Sequence, residues 1–135
     1  MELTRRQMFA LSAGMAGVAV FGFGAGPAAA TAEDTEKAIA DFAGGVTPAE
    51  GKITLTAPEI AENGNTVPIS ISVESAMTGD DVCESVLILA EGNPNPAVCT
   101  FHFTEMSGAA AATTRMRLAK TQNVVAIAKM KDGSV

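Results

Sequence analysis

The sequence predicts a mainly β protein, an antiparallel β-sandwich with one short helix near its start. Three observations carry that expectation. Apolar residues alternate with polar ones along several segments after Thr47, the period of a half-buried strand. Turn signals recur about every 8 to 15 residues over the same stretch, which suits short antiparallel strands. Before them, residues 33–45 show helical spacing instead.

The chain has 135 residues, enough for one domain, and a net charge of −6. It is 47% hydrophobic and 4% aromatic, with no Trp and no Tyr. An acidic balance without stacking aromatics argues against nucleic acid as a partner. These totals average two unlike parts. Residues 1–32 read as an export leader. Paired Arg5 and Arg6 precede an uncharged Ala/Gly/Val/Phe-rich run from Met8 to Gly26. Pro27 follows, and then Ala28-Ala29-Ala30-Thr31-Ala32, a small-residue stretch that suits cleavage after Ala30 or Ala32. A retained membrane anchor is the alternative, but so glycine-rich a run suits a leader better than a stable span. The Arg5-Arg6 pair marks a twin-arginine signal, which addresses a route for folded proteins. Export therefore allows a partner to be met before crossing, with no membrane attachment after cleavage. Residues 33–135 then form one domain of 103 residues, with 14 acids and seven bases.

Each element has its own warrant. In 33–45, Glu33, Asp34 and Glu36 sit in the first turn, where the helix dipole favours acids. Thr31, Asp34 or Thr35 can cap that start. Ala38, Ile39, Phe42 and Ala43 share a face, and Gly44-Gly45 stops the helix. So short a helix must pack on something. Lys52–Thr56 alternates, with Ile53 and Leu55 on one side. Asn63-Gly64 signals a hairpin turn through its tolerance of positive φ. Val67, Ile69, Ile71 and Val73 mark the next strand, and Pro68 places its start at a sheet edge or a bulge. Val82–Ala90 is a nearly continuous apolar run. The polar turn Gly92-Asn93-Pro94-Asn95-Pro96 leads to a strand over 97–104, with Phe101 and Phe103 on one face and Thr100, His102 and Thr104 on the other. Residues 113–119 turn Thr114, Met116 and Leu118 inward and Arg115 and Arg117 outward. Residues 123–130 form the last strand. Asp132-Gly133 then signals another reversal, which should deliver a partner strand. The sequence stops two residues later, so it reads as cut short before a final strand, or else as a strand fraying into a polar terminus.

The reactive residues are few. Cys99, His102 and Met106 have the spacing of a blue-copper loop, but that site needs a second imidazole and His102 is the only histidine. Strand alternation also points His102 away from Cys99. No metal or cofactor follows from these residues. Pairing of Cys83 with Cys99 is unfavourable: Cys99 falls opposite Ile88 or Leu89, leaving Cys83 about 15–20 Å off, whereas a bridge needs Cα atoms within about 7 Å. Neither thiol has an activating base or helix N-terminus, and acids flank Cys83. Asp80-Asp81 reads as a solvated turn. No catalytic residue is assigned.

Several blocks carry a family resemblance. They are Pro58 to Pro68 (PEIAENGNTVP), Ala90 to Pro94 (AEGNP) with Phe101-His102-Phe103, Ala119 to Val124 (AKTQNV), and Ala128 to Ser134 (AKMKDGS). With the twin-arginine leader, they resemble the SoxY family, sulfur carriers of the periplasmic thiosulfate-oxidising Sox system. The resemblance implies an immunoglobulin-like sandwich, a periplasmic location and a complex with SoxZ, which is exported with its partner. It implies a non-enzymatic carrier visited by a c-type cytochrome, a hydrolase and a sulfur dehydrogenase. The family holds sulfur on a cysteine in a Gly-Gly-Cys-Gly type tail after one further strand. Glycines make such an arm thin and flexible, and its thiolate is the nucleophile. Here the match stops before that tail, so the carrier cysteine is absent and neither Cys83 nor Cys99 takes its role. The expectation is a carrier with its tail missing. The alternative is a SoxZ-binding paralogue or structural subunit that carries no sulfur.

Overall fold

The computed structural model describes residues 32–135. The leader expectations, including Arg5, Arg6 and cleavage after Ala30, lie outside the described residues; Ala32, the other expected cleavage position, is the first residue described. One helix and six strands follow: α1 (Ala32–Ala43), β1 (Ile53–Thr56), β2 (Val67–Val73), β3 (Cys83–Ala90), β4 (Ala97–His102), β5 (Ala110–Met116) and β6 (Val124–Met130). A single 3-10 turn, Glu105–Ser107, stands between β4 and β5. No helix among the described residues is long and apolar enough to cross a membrane.

The strands form two three-stranded antiparallel sheets, ordered β1-β2-β5 and β4-β3-β6. Alternation builds both inner faces. Val67, Ile69, Ile71 and Val73 project from β2, and Val86, Ile88 and Ala90 from β3, into one buried cluster with Ala110, Met116 and Met130. The outer face of the second sheet is apolar too. Leu87, Leu89 and Ile127 lie there, covered by Ala38, Ile39 and Phe42 of α1. That is why 82–90 reads as a continuous apolar run: β3 is buried on both faces. It is also how the short helix is stabilised, by packing rather than by propensity. The helix ends where expected, with Gly44 and Gly45 at φ of 64° and 89°.

The structure corrects the sequence reading at several points. The helix starts one residue earlier and ends two earlier than 33–45. The strand expected over 97–104 stops at His102, because Thr104 opens the 3-10 turn. The fifth strand runs 110–116 rather than 113–119; the featureless run Ala109–Ala112 hid its start, while the inward parity of Met116 holds. The start of β2 is an edge, as Pro68 suggested, although the strand is central farther along: β1 pairs only with Ser70–Val73, so beside Pro68 the sheet has β5 alone. Asn63-Gly64 does form a turn, closed by Thr66 N–H donating to Asn63 O at 3.2 Å. However, Gly64 is not among the positive-φ residues. Its need is closeness: a Cβ there would stand 2.9 Å from the Leu118 carbonyl oxygen.

Asp132-Gly133 makes the expected reversal. Gly133 has φ 86°, and Met130 N–H donates to Ser134 O at 2.9 Å. Ser134 and Val135 thus begin to run back beside β6.

Candidate functional site

Two thiols and one imidazole are the reactive groups that the sequence offers. Cys83 opens β3 and has no exposed surface. A bulge there sets Cys83 opposite Met130 and Ser85 opposite Lys129. The extra residue, Glu84, reverses the alternation, so Cys83 joins the inner cluster with Val86 and Ile88. Its thiol meets Ser85 O at 3.7 Å. Burial pushes the thiol above its ordinary pKa, against the smaller opposing effect of that hydrogen bond. Cys99 is half-buried in β4, packed against the same cluster, and burial raises its pKa as well. Both effects suppress the thiolate, the form that attacks sulfur.

The register places Cys99 opposite Ile88, as the turn length suggested. Cys83 lies five residues along from Ile88, about 17 Å by strand rise, and both cysteines are free thiols. Cys99, His102 and Met106 are not brought together. Cys99 faces the core, His102 is exposed at the end of β4, and Met106 is 96% exposed beyond it. Among the described residues, no group of three or more His, Cys, Asp or Glu is placed to hold a metal ion. Asp81 is a turn residue: its carboxylate accepts from Ala76 N–H at 2.8 Å and its carbonyl from the Ser75 hydroxyl at 2.6 Å.

What the structure does bring together is one pole of the sandwich, built by loops 57–66, 91–96 and 117–123. Asn93 is its hub. Its Nδ2 donates to Arg117 O, and its Oδ1 accepts from Ala119 N–H and Gln122 Nε2, each at 2.9 Å. Gln122 Oε1 accepts from Gly92 N–H at 2.6 Å, and Asn123 Nδ2 donates to Glu91 Oε2 at 3.0 Å. Leu118 N–H donates to Gly64 O at 2.8 Å, adding the third loop. Gly92 sits in a tight place here: a Cβ would lie 2.7 Å from Lys120 Cε and 3.0 Å from Gln122 Cβ. The blocks around Asn63-Gly64, Gly92-Asn93 and Gln122-Asn123 are therefore one hydrogen-bonded unit joining both sheets. Their separation in sequence concealed this. No local pattern links Asn93 to Gln122.

Two three-stranded antiparallel sheets packed face to face, one of them backed by a helix, define an immunoglobulin-like sandwich. The family model "Sulfur oxidation protein SoxY" matches residues 39–135, and the chain belongs to the SoxY family. A solved structure described as the sulfur carrier protein SoxY from Chlorobium limicola f thiosulfatophilum is similar to it. That likeness has a TM-score of 0.61 at 29% identity, covering 73% of this chain and 82% of that one. No curated protein sequence matches.

Proposed function

We propose that this chain is the sandwich domain of a sulfur carrier, working in the periplasm in a complex with SoxZ. Membership of the sulfur-oxidation family is the observation that carries the reading. The chain would carry sulfur, not transform it. Oxidation and hydrolysis would fall to a c-type cytochrome, a hydrolase and a sulfur dehydrogenase that visit it. Arg5-Arg6 would address it to the folded-export route, taking SoxZ along.

The acceptor thiol would stand on a segment after Val135, not within the sandwich. The inward placement of Cys83 and Cys99 supports this. A sulfur atom handed between enzymes must reach narrow sites, and a thiol inside a β-sandwich cannot leave it without unfolding. The test is expression of the coding region through and beyond Val135 with SoxZ, followed by exposure to thiosulfate and intact-mass measurement. The expected result is a stable complex with a sulfur adduct on a cysteine outside the 135 residues. An adduct on Cys83 or Cys99, or failure to bind SoxZ, would overturn the reading. A second reading, a SoxZ-binding subunit that carries no sulfur, is favoured by the same inward thiols. It predicts the complex without any adduct.

A further inference from the structure

We propose that Ser85, His102 and Lys129 form a binding site for a small oxyanion on the outer face of the β4-β3-β6 sheet. The register brings them together. Ser85 in β3 is paired directly with His102 in β4 and with Lys129 in β6. The three make one row across the sheet, each about 5 Å from the next. They also share a face. Cys99 and Phe101 pack on the inner cluster, so His102 points outward. Ile127 packs on the outer cluster, and Lys129, two residues on, has the same parity. Ser85 lies between the inward Val86 and the bulge, on the side of Leu87. An imidazole and an ammonium therefore stand on either side of one hydroxyl.

That hydroxyl is the second ground. Thr35 and Ser85 are the buried polar residues among those described, at 4% and 7% exposure. Thr35 has a partner, whereas the Ser85 hydroxyl has none among the described residues. It is not sealed in either. Among the described residues no buried side-chain oxygen lacks a hydrogen bond, so this one opens to the surface. A side chain more than nine-tenths buried thus presents an unused donor to whatever arrives from outside.

The third ground is charge. The ion pairs among the described residues are Lys37–Asp41 and Lys131–Glu105, and Lys129 takes part in neither. The row itself holds no acid. Glu84 alternates to the other face, where its carbonyl accepts from the N–H of the inward Phe103 at 2.9 Å. Glu105, just past β4, is already held by Lys131 at 3.3 Å. Residues 33–135 carry seven bases and 14 acids, so the domain as a whole repels anions and holds one only where donors and a cation are local. Lys129 supplies the charge, Ser85 a hydroxyl and His102 a ring N–H. Three donors on one row suit an anion with an oxygen for each, the chemistry shared by thiosulfate, sulfate and phosphate. The site does not depend on whether the chain carries sulfur.

The test is an NMR titration of the 135-residue chain with sodium thiosulfate, sulfate and phosphate in turn, against sodium chloride at equal ionic strength. Saturable shifts are expected at the amides of Ser85, His102 and Lys129. Saturation by thiosulfate alone, or by all three anions alike, supports the site and tells which oxyanion it takes. The double variant H102Q/K129Q should weaken binding at least about tenfold, or 1.4 kcal/mol. Ser85→Ala, which removes the hydroxyl alone, should weaken it about tenfold as well. Amide spectra check that each variant keeps its fold, and His102→Gln alone, at an exposed position, repeats the test if either does not. Shifts matching those in chloride, equal shifts at Lys37, Lys52, Lys120 and Lys131, or unchanged binding by the variants would each overturn the site.

Discussion

Gly64 and Asp132 show how single residues fix this fold for different reasons. Gly64 is needed for room, because the Leu118 carbonyl occupies the place of a side chain. Gly64→Ala must move backbone, not a flexible side-chain tip, and should cost about 1–3 kcal/mol, read from the urea midpoint. Asp132 is needed for its charge. Its carboxylate accepts from the Ser134 hydroxyl at 2.6 Å and from the Ser134 N–H at 2.9 Å. The hydroxyl bond leads the effects that hold it below the usual carboxylate range. A depressed pKa means the ionised form favours the turn. That contribution is complete above about pH 4, the ordinary aspartate value, and is lost as pH falls through the lowered one. Ser134 amide protection should decline over that acid window in wild type and be absent at all pH values in Asp132→Ala. Asn93 acts through its three hydrogen bonds, and Asn93→Ala should cost about 1–2 kcal/mol in thermal or urea unfolding.

At the scale of elements, β6 is the informative strand. Lys131 N–H donates to Val82 O on the β3 side, whereas Met130 N–H donates to Ser134 O on the other side. Antiparallel alternation then turns Val125, Ile127 and Lys129 toward β3, and Val124, Ala126 and Ala128 toward the open edge. The small side chains of Ala126 and Ala128 line a groove of about 280 Å³, with Ile53 and Val73 of the facing sheet. Hydrogen exchange should therefore alternate along β6, with slow amides at 125, 127 and 129 and fast ones at 126 and 128. Uniform protection would mean that the edge is already covered. The sequence made β6 legible as a strand, and the Asp132-Gly133 reversal marked its open side, but the order of strands within each sheet was not legible. Alternation reports which face is buried; strand order depends on contacts far apart in the chain.

The whole molecule combines a well-buried core with an unguarded flank. β6 presents unpaired backbone groups beside an apolar groove, an arrangement that invites strand addition. The isolated 135-residue chain should self-associate through this flank, measurable as a concentration-dependent sedimentation coefficient. A SoxZ partner or an added strand that covers β6 should abolish it. A monodisperse monomer with cooperative unfolding would show that the edge is protected as it stands.

The helix, the six strands and the inward parity of nearly every apolar residue were determined by the sequence itself, because periods of 3.6 and 2 are local properties of the chain. So was the resemblance to the SoxY family, carried by short blocks around Asn63-Gly64, Gly92-Asn93, Gln122-Asn123 and Asp132-Gly133. The tertiary structure alone decided what those blocks are for. Asn93, Gln122 and Gly64 meet only after two sheets have been ordered and stacked, a relation no window of sequence contains. It alone decided the orientation of Cys83 as well, since one extra residue at a bulge reverses the face to which a thiol points.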